Sequence, residues 1–403
     1  MELKVKMAYI YKKSFEDCFK KARIAICIFL SIVSLFGLYQ VYINYKTYLF
    51  STNNYLFIQV FIFLISLEIL FYFSIFLHEL GHYLAIKRAG YQIKAFVAGP
   101  FVLINNDGHK LLRIRLYGVL TKSGFVLPAF RNKIVDQKSC EKCISDYINF
   151  LYGGAYATAL LIIIGTLLIF FKSTCVWGLA TVIINCVMLI NLFRNDKNVL
   201  GDILLANLIK KDKRVFCIAF RNSFWAEFPI NSYIVRLCED FIEDNLSAHQ
   251  YNESVIAILD SMLIYKIINK QELTKSEAEF KNWIFNDLVY TKCEDQFFQI
   301  EFIKLGYKFL LHEYALNKQS MDNYSRFSYF IKANELYSSS KLLKNIDCNI
   351  KELFLDHKNF DKRYLRYIHS FSSVLDGCEN CQALMKEFIK SMAPMENVAD
   401  TGC

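Results

Sequence analysis

The sequence predicts a mainly α-helical, polytopic membrane protein with about four transmembrane helices, a β-hairpin inserted between spans two and three, and an all-helical C-terminal cytoplasmic domain. Three observations predict it. Hydrophobic residues make up 54% of the 403 residues, and they concentrate in the first half of the chain. Between residues 91 and 130 the apolar rhythm alternates around an Asn-Asn-Asp-Gly turn, which is hairpin chemistry. After residue 203 glycine and proline become scarce, and apolar residues recur at helical spacing, as in Ile234, Leu237, Cys238, Phe241 and Ile242.

Four apolar runs, at residues 24–43, 55–78, 148–171 and 174–193, each come near the ~20 residues needed to cross the hydrocarbon core. The first follows a Lys-rich segment and has no small-residue cleavage site after it, so it reads as a retained anchor. Basic residues set the orientation. Residues 1–23 carry Lys4, Lys6, Lys12, Lys13, Lys20, Lys21 and Arg23, and clusters follow spans two and four, whereas the loops after spans one and three hold only Lys46 and Lys172. Both termini are therefore expected in the cytoplasm. The expected domains are a basic N-terminal segment (1–23), a membrane domain (24–210) and a helical cytoplasmic domain (211–403). The net charge of +9 fits this bias and contact with anionic lipid, and no nucleic-acid signature accompanies it.

The second span ends in His78-Glu79-Leu80-Gly81-His82. On a helix, residues four apart lie about 40° apart on one face, so both histidines can hold one zinc ion. Glu79 stands beside them as a general base for the attacking water. Ionisable groups at membrane depth are costly, which favours a functional reason for all three. Glu68, eleven residues earlier on nearly the same face, reads either as part of a water path or as a hydrogen-bonding partner for a neighbouring helix.

The chain has thirteen cysteines, nearly all in spans or segments expected in the cytoplasm, where thiols stay reduced. Cys140/Cys143 and Cys378/Cys381 have ligand spacing: they read as a second, four-thiolate zinc site or as two unrelated surface pairs. In the C-terminal domain His249, His312, His357 and His369 occur singly and read as surface or core histidines.

The hairpin must be buried or line a watery cavity, because lipid cannot satisfy its backbone. Its edge could pair with an extended substrate by strand addition.

A span ending in the His78 motif, a following hairpin, a third span opening with Gly153-Gly154-Ala155-Tyr156-Ala157-Thr158 and a fourth ending in Asn191-Leu192-Phe193 resemble the site-2 protease family of intramembrane zinc metalloproteases. The resemblance covers about residues 55–210. It implies one zinc ion, catalysis by Glu79, and a membrane-inserted or membrane-delivered peptide or protein as substrate, in regulated proteolysis or peptide maturation. The chain departs from the family in two places. Thr158 stands where an Asn usually helps position substrate, and the Asp-Gly pair that supplies the third ligand is missing. Asp202, which follows Gly201 in reversed order, is the first candidate for that ligand, Asp196 the second, and neither the third possibility; Asp202 also suits a helix N-terminus. The alternative function is a non-catalytic membrane scaffold or peptide-binding accessory of the same fold. Oligomeric state is not legible.

Overall fold

The computed structural model describes residues 56–106, 109–114, 124–193, 195–196, 199–221, 223–249, 253–286, 296–316, 321–333 and 379–391, with isolated helical positions between 28 and 43 and between 344 and 351. The chain divides into two compact units, one from Ile10 to Val215 and one from Phe216 onward.

In the first unit, helix α1 (Leu56–Arg88) leads into strands β1 (Ile93–Ala98), β2 (Phe101–Asn106), β3 (His109–Ile114) and β4 (Gly124–Pro128). Helices α2 (Gln137–Ile169) and α3 (Cys175–Asn191) follow, then a short ribbon of β5 (Asn195–Asp196) and β6 (Val199–Leu200), then α4 (Asp202–Lys211).

The predicted span count is not reproduced. Among the described residues two stretches are long and apolar enough to cross a membrane, Phe63–Arg88 and Gln137–Ile169. The fourth expected span forms a 17-residue helix, about 26 Å long against a hydrocarbon core of about 30 Å, and the polar stretch after Phe193 contains the β5–β6 ribbon. The first, at residues 24–43, lies largely outside the described residues.

The third expected span starts about eleven residues earlier than hydropathy suggests, because a capping box opens it. The Asp136 carboxylate accepts from Ser139 N at 2.8 Å, and the Ser139 hydroxyl accepts from Asp136 N at 3.0 Å. The resulting 33-residue helix is about 50 Å long. Its added turns bury Cys140 and Cys143 as reduced thiols, which corrects their reading as a surface pair. Cys378 and the Cys381 side chain lie outside the described residues, and so does the four-thiolate site.

The hairpin is larger than predicted. Strands β2 and β3 pair as far as Asn106 and His109, as the expected hairpin requires, but a second tight turn joins β1 to β2, where Gly99 takes φ +56° and Pro100 follows. The product is an antiparallel sheet of order β3-β2-β1-β4. Five of six residues of β1 are buried, whereas β3 is largely exposed.

Helices α1 and α2 meet where two glycines face each other. A Cβ on Gly81 would lie 2.3 Å from the Gly153 carbonyl oxygen, and one on Gly153 would lie 2.5 Å from the Gly81 carbonyl oxygen. This small-residue contact lets the backbones approach closely. It therefore brings the His78 motif against α2.

The elements described in the second unit are all helices. Helix α5 (Ser223–Ala226) is followed by α6 (Ser232–Ser247), α7 (Glu253–Asn269), α8 (Lys275–Asn286), α9 (Gln296–Ala315), α10 (Met321–Ala333) and α11 (Glu379–Ser391). Helix α6 starts where the Asn231 side chain accepts from Ile234 N at 3.0 Å, and it buries Ile234, Cys238, Phe241 and Ile242 as its spacing predicts. Charges are buried here too. Lys266 donates to Glu277 at 2.7 Å and lies 3.3 Å from Glu239, Lys281 donates to Glu313 at 2.8 Å, and Lys308 pairs with Asp260. Of the single histidines, His249 is exposed and His312 is buried against the Gln271 carbonyl; His357 and His369 lie outside the described residues.

Candidate metal centre

The buried side chains of His78, Glu79 and His82 lie on α1 where it crosses α2. His82 Nδ1 is 2.7 Å from the Phe150 carbonyl oxygen. A carbonyl oxygen only accepts, so Nδ1 carries the hydrogen and Nε2 of the neutral ring keeps a lone pair. His78 Nδ1 lies 2.8 Å from the Thr158 hydroxyl, which can accept its hydrogen, with Nε2 turned inward.

The two Nε2 atoms are 3.2 Å apart, and Asp202 Oδ2 lies 3.1 Å from one and 3.4 Å from the other. Three potential ligand atoms thus form a triangle. One proton cannot serve all three edges, whereas a cation at the centre can. Tetrahedral zinc with bonds of about 2.0–2.1 Å separates its ligand atoms by about 3.3 Å, so the triangle fits that ion. Among the described residues these three form the one His/Cys/Asp/Glu group able to hold a metal ion.

Asp202 reaches the histidines because α4 is tied down on two sides. Leu204 N donates to the Leu192 carbonyl at 3.4 Å. Farther along, the Tyr152 hydroxyl of α2 donates to Asn207 Oδ1 at 3.2 Å and accepts from Lys210 Nζ at 3.1 Å, with the ammonium 4.5 Å over the Tyr152 ring. The backbone of Asp196 lies in β5, paired with Val199, and its side chain lies outside the described residues. Glu68 is half-buried on α1.

Two glycines shape the cavity. A Cβ at Gly154 would sit 2.3 Å from His82 Nε2 and 2.6 Å from His78 Cε1. Any other residue there would fill the space where the ring nitrogens converge. A Cβ at Gly124, the first residue of β4, would sit 2.6 Å from Glu79 Oε1. The sheet backbone therefore lies directly over Glu79, whose Oε2 is buried without a hydrogen-bond partner. A buried carboxylate oxygen with nothing to accept from is costly unless a ligand or water completes it.

Residues 66–394 match Peptidase family M50. The chain belongs to this family, which is that of the site-2 proteases. The match runs well beyond residues 55–210, which carry the sequence resemblance, and takes in most of the second unit. No curated protein and no solved structure matches the chain. M50 peptidases are membrane-embedded and zinc-dependent. For an M50 chain the environment of Thr158 is informative. Sequence comparison assigned this position to substrate positioning, but Thr158 is fully buried and its hydroxyl meets His78. Sequence reasoning also missed the Phe150 carbonyl and Gly124. A backbone carbonyl carries no sequence signal, and Gly124 meets Glu79 only through tertiary packing.

Proposed function

We propose that this M50 chain is an intramembrane zinc metalloendopeptidase that hydrolyses peptide bonds of a membrane-inserted or membrane-delivered protein or peptide. The observation that carries the reading is the convergence of three potential ligand atoms, His78 Nε2, His82 Nε2 and Asp202 Oδ2, with the unpartnered Oε2 of Glu79, the residue after His78 on the same helix.

His78, His82 and Asp202 would hold the ion, and Thr158 and the Phe150 carbonyl fix the two ring orientations. Zinc bound there supplies Lewis acidity, polarising the scissile carbonyl and bringing the pKa of water toward about 7. Glu79 takes the proton of the attacking water and hands it to the leaving amine. The low-dielectric pocket under Gly124 strengthens these interactions. Strand β4 pairs with β1 alone among the described strands, so an extended substrate can add to its other edge and run past Glu79.

The basic residues flanking the spans support cytoplasmic termini in this reading. Reporter fusions after residues 50 and 215 are expected on opposite sides of the membrane.

Metal analysis tests the core of the reading. Purified protein is expected to carry about one zinc, and the His78→Ala, His82→Ala double variant none. Stoichiometric zinc in that variant would overturn the assignment, unless separate removal of the cysteine pairs released it.

A further inference from the structure

On the flank of α1 away from the histidines, a cavity of about 780 Å³ opens between the helix and the sheet. Successive helical residues are 100° apart. Measured from Glu79, His78 and His82 lie about 100° and 60° to one side, while Tyr72, Tyr83, Phe76 and Leu80 lie about 20°, 40°, 60° and 100° to the other. Glu79 thus stands between the metal ligands and the cavity. The opposite wall is the sheet face bearing Phe96, Ala98, Phe101 and Leu103.

That face is continuous with the roof of the metal centre. Cross-strand pairing sets Gly124 beside Ala98 and Ala98 beside Phe101, and sets Val126 beside Phe96 and Phe96 beside Leu103. Residues paired across a sheet share a face. The Gly124 row therefore starts over Glu79 and ends in the cavity. The Phe96 ring closes the floor, edge-on to Phe76 at 5.6 Å and to Tyr83 at 6.0 Å, one residue on either side of Glu79 along this flank. Every residue lining the cavity is apolar or aromatic, and Phe73, Phe101 and Leu112 leave its outer side open.

We infer that this groove is a specificity subsite for large apolar side chains on the carboxyl-terminal side of the scissile bond; the inference rests on the peptidase reading above. Glu79 delivers its proton to the leaving amine, so that nitrogen must come within hydrogen-bond reach of Glu79. The residues that follow the amine then lie on the Glu79 side of the metal ligands, where the groove begins. Its volume falls in the range of ligand pockets, about 300–1,000 Å³, and suits several large apolar side chains together. With no charged group in its lining, it would reject ionised ones.

The test uses full-length Glu79→Gln protein in bilayer nanodiscs and two ten-residue peptides, one rich in Leu and Phe and one rich in Ser and Gln. Each carries a benzophenone two residues beyond its central bond. The apolar peptide is expected to cross-link at least tenfold more, at positions 72–83 of α1 and in β1 and β2, and Ala98→Trp, which fills the groove from the sheet, is expected to reduce this about tenfold. Leu112→Asp, at the exposed rim, gives the same readout where Ala98→Trp fails to fold. If lipid alone covers the groove, the cross-links spread equally over outward residues of α2 such as Ile163 and Leu167, neither variant matters, and the inference is wrong.

A tryptic peptide library offered to the otherwise unaltered protein separates the two readings. Large apolar residues are expected to be enriched just after the cut, with the enrichment reduced about fivefold in Ala98→Trp. Glu79-dependent cleavage without enrichment removes the subsite and keeps the peptidase. Absence of such cleavage removes the peptidase, and the cross-links still decide whether the groove takes apolar peptide.

Discussion

Buried ionisable groups occur in both units, but they are arranged on opposite principles. In the helical unit buried lysines meet carboxylates: Lys266 with Glu277 and Glu239, Lys308 with Asp260, Lys281 with Glu313. Around His78 two ring nitrogens and the Asp202 carboxylate converge with no lysine or arginine among them, an arrangement that can hold a cation. The first arrangement balances its charges within the unit, and the second suits a bound cation.

The sharpest way to break this contrast is at Glu79. Glu79→Gln keeps the shape and cannot take a proton, so cleavage of any substrate of the unaltered protein is expected to fall by about 10²–10⁴-fold with zinc content unchanged. Undiminished cleavage would sink the hydrolytic assignment, and retained zinc with no cleavage in the unaltered protein favours the scaffold alternative.

The helical unit makes the opposite prediction. Lys266→Met leaves Glu277 buried without its ammonium and is expected to destabilise that unit by about 3–5 kcal/mol, while the joint change Lys266→Met, Glu277→Met recovers most of the loss. Denaturant unfolding checks both, and zinc content is expected to stay the same in both. If the double variant is no more stable than the single, the pair does not balance itself.

A smaller effect is expected at the groups that hold the ligands. Thr158→Val removes the hydroxyl at His78 Nδ1 and Tyr152→Phe removes the link from α2 to Asn207 and Lys210, so each is expected to weaken zinc binding about 10–100-fold in a chelator competition. Asp202→Ala is expected to exceed both, and Asp196→Ala to do little. An Asp196→Ala effect larger than that of Asp202→Ala would reassign the third ligand.

The smallest effect is in pH. Burial holds the His312 imidazole below its ordinary value, although its bond to the Gln271 carbonyl opposes this. The unfolded chain then binds a proton near pH 6.5 that the folded unit resists, so stability is expected to fall as pH drops below about 6.5. Hydrogen exchange around Gln271 should show this loss, and His312→Gln should abolish it. An equal slope in the variant would assign the effect to other groups.

How much of this was legible in the sequence differs from element to element. The His78 motif and its helix were readable because both depend on neighbours three or four residues apart. The α6 stripe was readable for the same reason. The turn at 105–108 announced one hairpin, but the fourth strand was hidden, because pairing Gly124 with Ala98 is a contact across 26 residues that leaves no local pattern. The Asp136 and Ser139 capping box was available in the sequence, and hydropathy alone passed over it.

By itself the sequence determined the helix-forming segments, the two histidines and the carboxylate between them, since these follow from side-chain chemistry at fixed local spacing. Tertiary structure alone decided that Asp202 meets the histidines from 120 residues away, that Thr158 holds His78, and that Gly124 lies over Glu79. The reason is physical. Each of these depends on how closely two backbones approach, and at Gly81 and Gly153 that distance is set by the absence of side chains on both sides at once.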